Sequence, residues 1–400
     1  MKILLLLEAA LGGTGRHILD LAEGLLGRNH EVHLVYSPLR ADKTFGAGLE
    51  RLRQRAGFHC QPIAMTRAVT ASDLRSYLEL ARYVKRHGGF DVLHAHSTKA
   101  GFLGRLLWLR KDARIVYTPH GLMTMDPELT GLRRKLVSVL ESALSWRCHS
   151  VIAVSRKDGE CAIQTGISPR KLVMIPNGLD PRGPAPGARE KARASLGLAD
   201  DVVCIGSAGL LVPNKETARL LDAFAALRRR TSRPVRLAVI GWGPLEAKLR
   251  EQARNSGIEA DVQFLGQTPA EFYMPAFDIF AHASRYEAFP YVFLEALICG
   301  VPVVTTDVGG ADELITAGIT GFLCDPWDCE TFASYLHRLA ESPALRLAIG
   351  VQARNRAAQF TKTAMIEATL RQYGNPEALR RPSRNAGSRP LEAISIENNR

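Results

Sequence analysis

The chain alternates between short apolar runs and amphipathic stretches, breaks once near its middle, and then starts the same rhythm again. Runs rich in Leu, Val and Ile at 3–7, 31–36, 91–95, 114–118, 150–154 and 171–176 have the length of buried strands, with helical stretches between them. In the stretch 74–86, Leu74, Leu78, Ala81 and Val84 recur at helical spacing and are read as a buried stripe. The segment Asp180-Pro181-Arg182-Gly183-Pro184-Ala185-Pro186-Gly187 reads as a linker. Strands are expected again at 202–208, 235–240, 262–265, 278–282 and 302–306. Strands alternating with helices specify parallel sheets covered by crossover helices. The expectation is an α/β chain of two Rossmann-like domains, 1–180 and 181–360. They should face a cleft at the carboxyl ends of their strands, where ligands bind in such sheets. A C-terminal helix is expected at 361–373, with crossing back to the first domain as one of its options. The stretch 374–400, rich in Pro, Ser, Asn and Arg without periodicity, is expected to be disordered.

Composition narrows the class. With 46% hydrophobic and 23% charged residues, the chain is neither fibrous nor largely disordered. Met1 to Leu7 opens like a signal segment, but Glu8 cuts the apolar run, so a buried first strand is expected. No apolar run approaches the roughly 18 residues that a membrane span needs. The seven cysteines include no C-x-x-C pair, and Cys324 and Cys329 lack His or Cys neighbours to complete a zinc site. Reduced thiols and a cytoplasmic location are expected, with peripheral placement at the inner face of the cell membrane as an extension. The net charge of +12 is lopsided: residues 1–180 carry 26 basic against 16 acidic side chains, and the remainder 26 against 24. Such a field suits an anionic partner, although a solvated basic surface is the plain alternative. Nucleic acid fits poorly, because the basic residues are scattered and aromatics are few. The stretch Leu132 to Arg147 pairs an apolar stripe with the basic cluster Arg133-Arg134-Lys135. Core packing of the stripe is the first reading, and contact with an anionic membrane surface the second.

Two stretches carry chemistry. Leu11-Gly12-Gly13-Thr14-Gly15 follows the first strand and precedes a helix expected near Arg16, an arrangement that lets backbone amides approach an anion. It matches neither G-x-G-x-x-G nor a P-loop, and a plain tight turn explains it equally well. In Ser284 to Pro302, Pro290 is placed as the first helical residue, with Gly300 and Pro302 closing the helix. Glu287 then precedes free helical amides, and Glu295 projects from the second turn. Acids so placed can hold sugar and ribose hydroxyls while the amides receive phosphate, although two capping or solvated glutamates would show the same spacing.

The surroundings decide between these readings. E-x-F-P-x-x-x-x-E-A-x-x-x-G-x-P-V-V followed by Asp307-Val308-Gly309-Gly310 resembles family 4 of the retaining glycosyltransferases, which have the GT-B fold. Asp91 to Ser97, Thr118-Pro119-His120-Gly121, Pro176 to Asp180 and Val212-Pro213-Asn214-Lys215 resemble family blocks in the expected order, so the likeness spans roughly 1–373. His94 through Gly121 is most similar to members assembling bacterial exopolysaccharide, capsule or O-antigen. The resemblance implies a retaining hexosyltransferase with acceptor in the first domain and nucleotide-sugar donor, UDP- or GDP-linked, in the second. The acceptor it implies is a lipid-linked or growing glycan.

By the same resemblance, Lys215 contacts the donor diphosphate, Glu287 the donor sugar and Glu295 the ribose. Backbone amides around Phe289, Pro290 and Tyr291 face the donor, Gly12 and Gly13 close over its phosphates, and His120 sits near the transferred sugar. No D-x-D occurs in the chain, so no metal and no cofactor is expected. His94 and His96 are read as facing opposite sides of their strand and so as no metal pair. Leu210 stands where members often have an arginine, and Arg285 is a candidate substitute. Glu216 and Trp242 replace a usual glycine and a usual acid. Leu210 also motivates a second reading, a non-catalytic transferase that binds nucleotide sugar or serves as a scaffold. A sugar-nucleotide epimerase on the same fold is the third, and the two spaced glutamates argue against it.

Overall fold

The computed structural model describes residues 1–68 and 70–374; the tail beyond Gly374 lies outside the described residues. Two parallel sheets are present. The first contains β1 (Lys2–Leu7), β2 (Glu31–Tyr36), β3 (Phe58–Pro62), β4 (Val92–His96), β5 (Arg114–Thr118), β6 (Ser150–Ala153) and β7 (Leu172–Met174). The second contains β8 (Val203–Ala208), β9 (Val235–Ile240), β10 (Val262–Gly266), β11 (Ile279–His282), β12 (Val303–Thr306) and β13 (Gly321–Cys324). The strand orders are β3-β2-β1-β4-β5-β6-β7 and β10-β9-β8-β11-β12-β13. Each order reverses beside the first strand of its half, between β1 and β4 and between β8 and β11. Those two switch points open crevices just beyond the strand ends, in the loops that follow Leu7, His96, Ala208 and His282.

Leu-rich β1 is buried on both faces, which is why it reads as an unbroken apolar run. Two strands escape the sequence reading, and both lie at sheet edges or near them. β3 is Phe-His-Cys-Gln-Pro, half exposed and without a β-branched residue, and β13 is a four-residue Gly-Phe-Leu-Cys segment. The helix Ser72–His87 also departs from expectation. It buries Ser76, Leu80, Tyr83 and Val84, while Leu74 and Leu78 of the expected stripe are exposed. The first helix begins at Gly12 rather than near Arg16. All seven cysteines are free thiols. Among the described residues, no helix is long and apolar enough to cross a membrane.

The two halves are tied by the last helix, Lys362–Gln372. Met365, Ile366, Leu370 and the following Tyr373 pack in the same apolar core as β1 and β2, so the chain returns to the first sheet after completing the second. Leu179 forms a parallel bridge with Thr361 where the outgoing and returning segments pass. Gly178 permits that passage: an added Cβ would lie 2.2 Å from the Thr361 carbonyl oxygen. Gly178→Ala must therefore push the two segments apart. A loss of about 1–3 kcal/mol of stability is expected, read as a lowered Tm. Gly183→Ala, whose Cβ would meet only an atom at 4.0 Å, serves as the neutral control.

Candidate active site

A cavity of about 770 Å³ lies between the two switch points, walled by both domains. From the first domain come Glu8, Thr14, Ser97, Lys99 and His120; from the second, Leu210, Asn214, Lys215, Arg285 and Tyr286. Of the site residues expected from sequence, His120, Lys215 and Arg285 meet here. Glu287 lies immediately behind Lys215 and forms a short ion pair with it. The same carboxylate oxygen accepts from Ser284 Oγ at 2.8 Å and sits 2.7 Å from His282 Nε2. Burial alone would raise the Glu287 pKa, but Lys215 and His282 outweigh it and hold the carboxyl well below the usual range. An ionised acid thus fixes the lysine, whose stem reaches past Gly209.

Elsewhere the structure corrects the expectations. The Gly12 amide does not wait for a phosphate, because it donates to Asp42 Oδ2 at 2.7 Å. Gly13 serves the domain seam: a Cβ there would stand 3.2 Å from the Tyr291 ring. Phe289, Pro290 and Tyr291 line neither cavity described here. Pro290 is the cap of the helix Tyr291–Cys299, not its first residue, while Phe289 and Tyr291 are core side chains. Arg285 reaches the cavity but is engaged by Glu216 and, 2.9 Å away, by Glu128 of the first domain. Glu216 has φ +48, the left-handed region that favours glycine. Gly241 and Gly243 are demanded by close approach, since a Cβ on either would strike the backbone of residues 209–211.

His94 and His96 do not face opposite sides. Residues two apart on a strand share a face, and their rings lie 3.8 Å apart. His94 is satisfied by Tyr373 and Thr118, at 2.6 and 2.7 Å. His96 Nδ1 lies 3.0 Å from His120 Nε2, and the His17 ring is 4.6 Å from that of His120. Burial holds all four imidazoles neutral at pH 7, and their mutual proximity adds to this for His94, His96 and His120. His120 has φ +55, an uncommon conformation for a residue with a side chain, and one concentrated at functional sites.

Glu295 lies in a second cavity of about 190 Å³, beside Arg16 and Lys362. Arg16 of the first domain pairs with it at 2.8 Å. Burial pushes the Glu295 pKa up to about 7 against the pull of Arg16. Arg16, His17, Asn177, His282 and Ser284 were not singled out from sequence. The first two directly follow the glycine loop, and His282 ends a strand at the switch point, so position alone marks them.

A family model described as Glycosyl transferases group 1 matches residues 188–356, and one described as Glycosyltransferase Family 4 matches 11–182. A D-inositol 3-phosphate glycosyltransferase of Actinosynnema mirum is 33% identical, the match covering 77% of this chain and 76% of that protein. The chain belongs to glycosyltransferase family 4. A D-inositol 3-phosphate glycosyltransferase of Gordonia bronchialis is 30% identical, the match covering 76% of this chain and 69% of that protein. Among solved structures, Anabaena Alr3699/HepE in complex with UDP and glucose matches with TM-score 0.80 and 25% identity, covering 94% of this chain and 99% of the other. The fold is GT-B, and the protein is a glycosyltransferase.

Two measurements probe the site of this family 4 transferase. Lys215→Met strands a buried carboxylate and is expected to cost about 3–5 kcal/mol. Adding Glu287→Leu should recover part of that loss in Tm, whereas independent sites would give additive losses. Glu295, with its pKa raised to about 7, stabilises the fold most below its unfolded value, and that contribution is lost as pH rises through 7. Between about pH 5 and 7, wild-type stability should therefore fall relative to Glu295→Gln, as urea melts at each pH would read. Arg16→Met should move the inflection upward.

Proposed function

We propose that this transferase moves a sugar, with retention, from a UDP-linked donor in the second domain to a hydroxyl of an amphiphilic, lipid-linked glycan in the first. The carrying observation is the single cavity that brings His120 of one domain and Lys215 of the other to common walls. Lys215, held by ionised Glu287, offers a fixed cation to a departing diphosphate, where charge grows in the transition state. Neutral His120 can orient a sugar or acceptor hydroxyl. No side chain here is a clear nucleophile, which favours front-face displacement. The leaving phosphate then takes the acceptor proton, and the protein supplies position and electrostatics. Glu295, once ionised, suits a ribose hydroxyl, and no resident cofactor is required. Alr3699/HepE, solved with UDP and with UDP-glucose, supports uracil as the base.

The acceptor reading rests on the first-domain wall. Phe102, Leu122, Val137, Leu140 and Leu144 form an apolar side of the cavity. The helix Gly131–Ser145 that supplies three of them turns Leu132, Leu136 and Val139 outward, with Leu132 81% exposed. Core packing, the first reading of that stripe, is thus corrected for its outer residues. Arg133, Arg134 and Lys135 lie on the same turns, and exposed Trp146 and Trp108 stand at the other end of the helix, Trp108 beneath the Arg147 guanidinium. An apolar face beside cations and tryptophans fits an anionic membrane surface, and the apolar wall leads from it toward His120. Assembly of a bacterial surface polysaccharide is the process this reading serves. A soluble inositol phosphate acceptor is the second reading, supported by the names of the curated relatives.

Purified protein should show a thermal shift with UDP-sugars in preference to GDP-, ADP- and dTDP-sugars, and Glu295→Ala should abolish it. It should also float with anionic liposomes in a salt-sensitive manner, and Leu132→Glu/Leu136→Glu should stay behind while still binding UDP. Transfer to lipid-linked glycan supports the first acceptor, and transfer only to inositol phosphate, without flotation, the second. No shift with any donor would overturn the donor assignment.

A further inference from the structure

A second set of ligating side chains sits on β2 and β3, and none of its members lines either cavity. Glu31 and His33 are two residues apart on β2 and share a face, and His59 on β3 is in register with His33. Glu31 Oε1 lies 2.8 Å from His33 Nε2 and 3.8 Å from His59 Nε2. The two rings stack with centroids 4.5 Å apart. One ligand atom from each of the three residues lies within 4.8 Å of the others.

The supporting contacts suit a metal. His33 is 1% exposed, and its Nδ1 stands 2.7 Å from the Tyr83 hydroxyl. Burial pushes the Tyr83 pKa up to about 12, so the phenol stays intact and its oxygen can accept the Nδ1 proton. In the metal-free chain His33 Nε2 is the donor to Glu31 Oε1, so binding a cation requires that proton to move to Nδ1, where the Tyr83 oxygen can accept it; this is the tautomer a metal-bound histidine adopts. Burial lowers the His33 pKa to about 4, and the hydrogen bond from His33 keeps Glu31 ionised.

We propose that Glu31, His33 and His59 form a site for a divalent transition cation of the zinc class, with water completing its coordination. Two imidazoles and one carboxylate suit Zn²⁺, Co²⁺ or Ni²⁺ and do not suit Mg²⁺ or Ca²⁺, which take oxygen ligands. The cation would fasten the edge strand β3 to β2, so binding stabilises the fold by mass action. Lys2 is the built-in competitor. Its ammonium lies 3.3 Å from Glu31 Oε1 and donates to the His87 carbonyl at 2.9 Å, and it must yield Glu31 to the metal.

The test uses the untagged full-length chain, titrated with ZnCl₂ and CoCl₂ by calorimetry, by visible absorption of bound Co²⁺ and by thermal shift. One cation per chain is expected, with a raised Tm and no comparable effect of Mg²⁺. His59→Ala, at a half-exposed position, and Glu31→Gln should each weaken binding by at least about tenfold, and Tyr83→Phe by about 10- to 100-fold. Lys2→Gln should strengthen it, an outcome that general loosening of the strand would not produce. The proposal is overturned by an absence of saturable uptake or by uptake indifferent to His59→Ala. Loss of uptake in His120→Ala with retention in His59→Ala would overturn it too, by placing the cation among His17, His96 and His120.

Discussion

The Asn177 side chain joins the two domains at the point on which the cleft depends. Its Oδ1 lies 3.1 Å from His17 Nδ1, on the helix after β1, and its Nδ2 donates to the Phe289 carbonyl at 2.8 Å, just before the helix Tyr291–Cys299. Asn177 is buried, so every one of these polar groups would pay a desolvation cost if its partner moved away. Tyr291 closes the same knot by placing its hydroxyl 3.3 Å from His17 Nδ1. The glycine loop of one domain and the glutamate helix of the other are therefore set against each other by a few satisfied hydrogen bonds. Arg16–Glu295, Arg156–Asp312 and Lys157–Asp307 surround that knot with ion pairs across the seam.

This seam explains why Gly12, Gly13 and the Phe289-Pro290-Tyr291 segment look like ligand-binding motifs in sequence yet hold no cavity wall here, Thr14 alone of the glycine loop reaching the cavity. Their conformational freedom and their exposed amides occur where two backbones must come close, and sequence cannot tell a ligand's approach from a domain's. Gly13 opposite Tyr291 and Gly121 opposite Ala288 show the same use of small residues.

Legibility followed physical distinctness. Both sheets were readable because central parallel strands are buried on both faces and become apolar runs. β3 and β13 were not, since short strands at or near a sheet edge need fewer apolar residues and tolerate Pro and Gly. The helix Ser72–His87 was found, but its buried face was misplaced because Ser76 is buried by its hydrogen bonds to Ala64 and Ser72 rather than by apolarity. Lys215 and Glu287 were recognised separately. That one holds the other could not be seen, because 72 residues separate them. The His94 and His96 error was one of strand arithmetic, and it hid the histidine cluster behind His120.

The departures from the family pattern are linked in space. Leu210 leaves the cavity without the arginine often found there, and Arg285, the natural substitute, is drawn aside by Glu216 and Glu128. Glu216 bears a side chain in a left-handed conformation, a strain of the order of 1 kcal/mol or more. That cost is offset by pairing with both Arg219 and Arg285. Glu128 belongs to the first domain, so its bond to Arg285 spans the cleft mouth. A diphosphate that drew Arg285 to itself would have to open this crossing pair, so any such contact would couple to the relative placement of the domains through one guanidinium.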